Sequence, residues 1–405
     1  MAFILITVVI DMIAIGVIVP VLPVLVGTFT HSQAAQAYWF GVTAFAFGIA
    51  NFLASPLLGA LSDRFGRRPV LLLGFAGLTL SYFVTALATS LWMIIVVRAV
   101  SGALSANLTV ANAYVADITP PEERARRFGL IGAMFGVGFI LGPIMGGLLG
   151  HLDLRLPFFV AGGLAVLNAL YGFFVLPESL PQTHRKPVRW AHANPLSAVQ
   201  KLRRLEGLGS LVWVLTLASL AQYMLQNLWV LYCDFKFGWG PKENGLSLFF
   251  VGLASATVQG GMLGRMIKRY GVHRLVVLGL TSSAVCYLLW GLAPEGWMMY
   301  AIVAFNLFGF GTNSALRAQV SAAADERSQG ETLGAASSLI SLTAVMAPVI
   351  SSYVLGLVSH YPRGDWRIGA PFYLCSGLAA VGCVLALQHN QRAARGAVPA
   401  ANSLH

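Results

Sequence analysis

The sequence predicts an all-α integral membrane protein, with twelve transmembrane helices arranged as two six-helix pseudo-repeats. Three observations lead there. Only 10% of the 405 residues are Asp, Glu, Lys or Arg, while 57% are hydrophobic; a soluble chain is normally about a quarter charged. Apolar runs of the ~20 residues needed to cross a bilayer recur along the whole chain. One offset, 205 residues, brings parts of the second half into register with the first: Gly59 with Gly264, Arg64 with Arg269, Gly66 with Gly271, Gly74 with Gly279, Gly129 with Gly334 and Pro143 with Pro348. A large soluble helical protein would still need charged outer helix faces, which these runs lack.

Read between polar breaks, the spans fall near 2–26, 37–60, 69–88, 91–115, 128–150 and 156–176, then 209–233, 244–264, 274–293, 296–319, 331–358 and 370–388. They divide the chain into an N-terminal bundle (1–176), a linker (177–208), a C-terminal bundle (209–388) and a tail (389–405). Twenty of the 26 bases lie in the loops after even-numbered spans, in the linker or in the tail, against five on the other side, with Arg98 inside a span. Bases concentrate on the cytoplasmic side, so both termini and the linker are expected there, in a bacterial-type inner membrane. The first run is too long for a signal-peptide core.

The net charge of +11 is therefore a topological signal. No aromatic platform is interleaved with the bases, which excludes nucleic acid as a partner. Cys233, Cys286, Cys375 and Cys383 are scattered without metal or redox spacing. No cofactor or metal is expected, and no nucleophile set, zinc motif or phosphate loop suggests an enzyme. Parallel repeats of six spans are a transporter plan, with substrate held near the midplane between them.

Charge inside the spans is rare and expensive. Asp11 lies several turns into the first apolar run. It is either a protonatable coupling group or an acid close enough to the cytoplasm to stay wet. Arg98 needs a carboxylate, backbone carbonyls or a wet cavity, so it either takes part in coupling with Asp11 or braces neighbouring helices. At the 205 offset their counterparts are Thr216 and Val303, both uncharged, which assigns proton chemistry to the first half. "GALSDRFGRRPVLLLG", Gly59 to Gly74, packs acid and bases at a helix junction. Such bases set topology, but topology alone requires neither Asp63 nor fixed glycines. Asn51, Asn107, Asn112, Gln222, Gln226, Gln259, Asn306 and Asn313 are candidate cavity amides, each equally able to bond helix to helix. A large apolar cavity with a few amides suits a bulky amphipathic small molecule.

These motifs resemble those of major facilitator transporters. "GALSDRFGRRPVLLLG" closely resembles the loop between their second and third helices. Arg98 in "VVRAVSGALSANLTVANAYVADITP" resembles their fourth-helix arginine motif. "GVGFILGPIMGG" resembles the fifth-helix motif of the antiporters, and "IDMIAIGVIVPVLPVL" the first helix of twelve-helix drug:proton antiporters, especially tetracycline exporters. The resemblance implies proton-coupled export with protons and an amphipathic small molecule as partners, and a carrier functional as a monomer in the bilayer. It implies coupling at Asp11 and Arg98, and a cytoplasmic gate at Gly59, Asp63, Arg64, Gly66, Arg67, Arg68, Asp117, Glu123 and Arg124. It implies an antiporter motif at Gly138, Gly142, Pro143, Gly146 and Gly147. The acids of tetracycline exporters in the third and ninth helices align here with Ser81 and Ser283, and an eighth-helix histidine with Ser255, while Gln259 is kept. Tetracycline itself is therefore not implied.

Overall fold

The computed structural model describes residues 2–105, 107–185, 209–323 and 329–396. The part of the expected linker from 186 to 208, the tail beyond 396 and the side chains of Asn107 and Arg124 lie outside the described residues. Among the described residues the regular structure is entirely helical. Eleven helical spans among the described residues are long and apolar enough to cross a membrane. The remaining span is broken at Asn306 into a pair of helices of 9 and 17 residues, each short of a full crossing by itself.

The first six spans are α1 (Ala2–Ile18) with α2 (Leu22–Gly27), α3 (Gln33–Phe65), α4 (Arg67–Ala86), α5 (Leu91–Leu104) with α6 (Asn107–Ile118), α7 (Arg124–Leu152) and α8 (Leu156–Val175). The break between α1 and α2 sits at Pro20, because proline removes a helix donor and its ring crowds the preceding turn. Pro23 is accepted in the first turn of α2. Ser32 and Ser90 start α3 and α5 by accepting Ala35 N and Met93 N. Several helices outrun their hydrophobic runs; α3 continues through Asp63 and Arg64 to Phe65. Hydropathy marks the hydrocarbon crossing, whereas backbone hydrogen bonding carries the helix past it.

The second set comprises α9 (Gly209–Phe237), α10 (Pro241–Thr257), a π-turn (Val258–Met262), α11 (Leu263–Tyr270), α12 (Val272–Leu292), α13 (Trp297–Phe305), α14 (Leu307–Ala323), α15 (Gln329–Val358) and α16 (Ala370–Gly396). The π-turn holds Gly260 and Gly261, and Arg265 Nη1 donates to Gly261 O at 2.6 Å.

By packing, the chain resolves into two compact units. One is Met1–Pro195 with Leu228–Leu253 and Pro348–Gly364; the other is Leu196–Asn227, Ala254–Ala347 and Asp365–His405. The first unit thus gathers the first six spans and adds portions of α9, α10 and α15. Its core packs Ile4, Val8 and Met12 of α1 against Val70, Leu71 and Phe75 of α4 and Val110, Ala111 and Tyr114 of α6. The second unit's core joins Leu211, Val214 and Leu215 of α9 to Leu275, Val276 and Leu280 of α12 and Leu316 and Val320 of α14.

Candidate functional site

The charged junction between α3 and α4 is built on Gly66, whose φ of 107° lies in the region L side chains avoid. That conformation ends α3 and starts α4 without an intervening loop. Arg67 follows, buried despite its charge. Its Nη1 lies 2.6 Å from Asp63 Oδ1 and donates to Ser62 Oγ at 2.6 Å, while Nε donates to Asp117 Oδ2 on α6 at 3.0 Å. Glu178, which follows α8, supplies what the sequence did not reveal. Its carboxylate accepts Arg67 N at 2.8 Å, Arg68 N at 3.3 Å and Leu180 N at 3.0 Å. A carboxylate there meets the free amides and positive dipole end of α4.

The network is consequently a hub joining α3, α4, α6 and the segment after α8. Arg68 lies over the Phe173 ring, 5.7 Å from its centre, and donates to Phe173 O. Ser179 Oγ donates to Asp117 Oδ2 at 3.2 Å, and Tyr114 OH to Pro177 O at 2.9 Å. Other expected members stand apart. Arg64 is exposed over Phe65, and Glu123 pairs with Arg127 at 2.9 Å on the surface. A side chain at Gly66 would overlap the Glu178 carboxylate, whereas nothing lies within 4 Å of where one would sit at Gly59. Close approach therefore explains the glycine at 66 and not at 59.

Asp11 is 7% exposed and helps line a small pocket with Thr7, Val8 and Met12 of α1, Leu71 and Phe75 of α4 and Ala111 of α6. It is buried, not a wet end-of-helix acid. One turn earlier, the buried Asn168 of α8 donates to Thr7 O at 3.0 Å and fixes α1. Arg98 lies on α5 with its guanidinium 4.2 Å from the centre of the Phe47 ring of α3. Among the described residues its buried Nε has no hydrogen-bond partner. Tyr82 of α4, 3% exposed, stands within electrostatic range of both Asp11 and Arg98. The sequence reading passed over Tyr82. Its signal was present as the polar end of a buried stripe, Leu71, Phe75, Leu78 and Tyr82, at helical spacing.

The glycines of α7 serve two neighbours. Gly138, Gly142 and Gly146 meet α1: a methyl group at Gly142 would lie 2.6 Å from Gly16 Cα, and one at Gly146 would overlap Val17 O. Gly147 meets α10 instead, where a methyl would lie 2.6 Å from Pro241 O and 2.8 Å from Gly245 Cα. Pro143 lies inside α7, and its carbonyl faces Gly245.

The candidate amides divide. Asn51 donates to Gly102 O at 3.2 Å, tying α3 to α5. Asn306 is buried and accepts from Ser282 Oγ at 3.1 Å; Gln222 accepts from Tyr287 OH at 3.4 Å. Gln226 and Gln259 are exposed, the latter donating to Ser255 Oγ at 2.7 Å. Asn112 and Asn313 are half-buried. Ser81 and Ser283 are both buried. No three metal-ligating side chains come together among the described residues.

A helical membrane chain with a charged loop hub, a buried acid and a half-buried arginine inside its spans, and glycine-packed helices has the make-up of a transporter. The Major Facilitator Superfamily model matches residues 4–348 and again 261–403, and the chain belongs to that superfamily. It is 37% identical over 369 residues to the class C tetracycline resistance protein of Escherichia coli, covering 91% of this chain and 93% of that one. It is 27% identical over 354 residues to multidrug resistance protein 2 of Bacillus subtilis (strain 168), covering 86% of each. The crystal structure of the human organic anion transporter MFSD10 (TETRAN) superposes with a TM-score of 0.70 at 25% identity, covering 95% of this chain and 98% of that one. The protein is thus a multi-pass membrane transporter of the twelve-helix major facilitator fold, and not an enzyme.

Proposed function

We propose that the protein is a proton-coupled secondary exporter of amphipathic small molecules, working by alternating access between two bundles, 1–176 and 209–388. The observation that carries the coupling is Asp11, a buried carboxyl in an apolar helix beside a pocket. Such a group is costly and marks a proton or substrate pathway. Relatives named for tetracycline and multidrug resistance support drug efflux as the direction. The basic loops support an inner-membrane orientation with both termini in the cytoplasm.

In the proposed cycle, the inward-facing cavity takes substrate and Asp11 gives its proton to the cytoplasm. The bundles then rock outward, and protonation of Asp11 from the outer side favours release and return. The hub around Arg67 biases the exchange between states. Exposed ion pairs contribute little, but Arg67 is buried among several acceptors, and a two-state equilibrium responds to small differential interactions.

Inside-out vesicles energised acid-inside test this reading directly. Tetracyclines and other amphipathic compounds are added while proton efflux is recorded, with Asp11→Asn and empty vesicles alongside. A compound that triggers efflux only when Asp11 is present is the expected result. Transport without a proton signal would overturn the coupling, and silence across the panel would point to a metabolite carrier.

A further inference from the structure

We propose that the Tyr82 hydroxyl is the positioning group through which Asp11 and Arg98 influence one another. Four observations converge on it. Tyr82 is 3% exposed, and its hydroxyl has no hydrogen-bond partner among the described residues. Both Asp11 and Arg98 act on it electrostatically. The Nε of Arg98 is likewise buried without a partner. Ser101, one turn along α5 from Arg98, supplies a third buried polar group, a hydroxyl, without a hydrogen-bond partner among the described residues. Buried polar atoms are nearly always bonded, so orphaned groups on α4 and α5 indicate an arrangement that changes with state.

A tyrosine hydroxyl suits the position because it donates one hydrogen bond and also accepts. With Asp11 ionised, the hydroxyl donates to the carboxylate and accepts from Arg98 Nε–H. With Asp11 protonated, the carboxyl becomes a donor, the hydroxyl turns to accept from it, and its tie to Arg98 is weakened. Tyr82 neither gains nor loses a proton in this exchange; the proton bound by Asp11 comes from water and returns to water. The charged groups acting on Tyr82 are Asp11 from α1 and Arg98 from α5. From α6 and α8, Tyr114 has its hydroxyl on Pro177 O and Asn168 donates to Thr7 O. Ser81 beside Tyr82 brings no charge, its carbonyl accepting from Thr85 Oγ1 at 2.7 Å.

This inference rests on Asp11 being the coupling group, but its test does not require transport. Purified protein in lipid nanodiscs is titrated by infrared difference spectroscopy, and the carboxyl band missing from Asp11→Asn is assigned to Asp11. In Tyr82→Phe, which keeps the ring and removes the donor, the midpoint of that band is expected to rise by about one pH unit. Arg98→Gln should shift the midpoint in the wild-type background and shift it less in Tyr82→Phe. In unaltered protein labelled at tyrosine, a ring C–O mode should change with the Asp11 midpoint and vanish in Asp11→Asn. A Tyr82→Phe midpoint equal to wild type, or an Arg98→Gln shift of the same size in both backgrounds, overturns the bridge. Proton efflux that survives Asp11→Asn in vesicles would instead overturn the coupling reading, so the two failures are read separately.

Discussion

The junction at Gly66 and the junction at Gly271 are the same backbone device carrying different chemistry. Each glycine ends one helix and starts the next, with φ and ψ of 107° and 160° in the first and 73° and 159° in the second. Around Gly66 stand Asp63, Arg67, Asp117 and Glu178. Around Gly271 a side chain would meet nothing within 4 Å. At the 205 offset Asp63 becomes Lys268 and Arg67 becomes Val272, so the second copy lacks the charges from which the hub is made. The charges inside the spans follow the same asymmetry. At the 205 offset Asp11 and Arg98 correspond to Thr216, whose hydroxyl bonds Val212 O at 2.7 Å, and to Val303, which is buried. The repeat preserves backbone geometry, and the proposed chemistry has settled in one copy.

The largest effect should come from breaking that asymmetry at its centre. Asp11→Asn is expected to abolish substrate-driven proton efflux in vesicles, whereas Thr216→Val at the matching place should leave it within about twofold, because Thr216 only bonds its own helix. Equal losses in both would mean that the two copies share the chemistry.

Next in size is the α7 packing seam. Gly147 corresponds to Ser352 at the 205 offset, and each contacts a helix from the opposite half: Gly147 meets Gly245, and Ser352 lies 2.7 Å from where a methyl at Gly41 would sit. Two glycines allow backbone contact in the first seam; a serine against a glycine makes the second. Gly147→Val must move backbone, so it should cost about 1–3 kcal/mol, read as a lower melting temperature in detergent. Ser352→Ala adds no atom to its seam and moves no backbone, so its melting temperature should stay above that of Gly147→Val.

How much of this could be read in advance follows from what a sequence encodes locally. The spans, the repeat and the burial-prone charges Asp11 and Arg98 stand out because each is unusual among its chain neighbours. The positive φ at Gly66 and Gly271 was foreshadowed by matching glycines. Glu178 and Tyr82 escaped because their roles are set by helices far away in sequence. Glu178 reads as an ordinary acid after α8 until the start of α4, 111 residues away, is seen to donate to it. Tyr82 reads as a core aromatic until α1 and α5 place charges around its hydroxyl. The break at Asn306 was invisible for a related reason, since hydropathy counts apolar residues without testing the continuity of the helix.

Gly66→Ala and Gly271→Ala sharpen the junction comparison. Both force alanine into a positive φ, a strain of about 1 kcal/mol or more. Only at Gly66 does the new methyl also displace the Glu178 carboxylate. Thermal melting should therefore rank Gly66→Ala below Gly271→Ala. The reverse order would mean that the Glu178 cap contributes nothing to the first half.

The smallest effect separates two acids of similar sequence appearance. Glu123, placed by the loop motif in the gate, forms an i,i+4 pair with Arg127, with their side chains 51% and 32% exposed. Such a surface pair is worth about 0.3–0.5 kcal/mol at most, so Glu123→Gln should leave melting and vesicle transport almost unchanged. Glu178→Gln keeps the shape of the side chain but removes the charge that faces three backbone amides and the end of α4, and a charged cap of this kind is worth about 1 kcal/mol. A measurable drop in melting for Glu178→Gln with none for Glu123→Gln would place the working acid of the hub after α8. Equal effects would return the role to the acids that the resemblance had put in the gate, Asp63, Asp117 and Glu123.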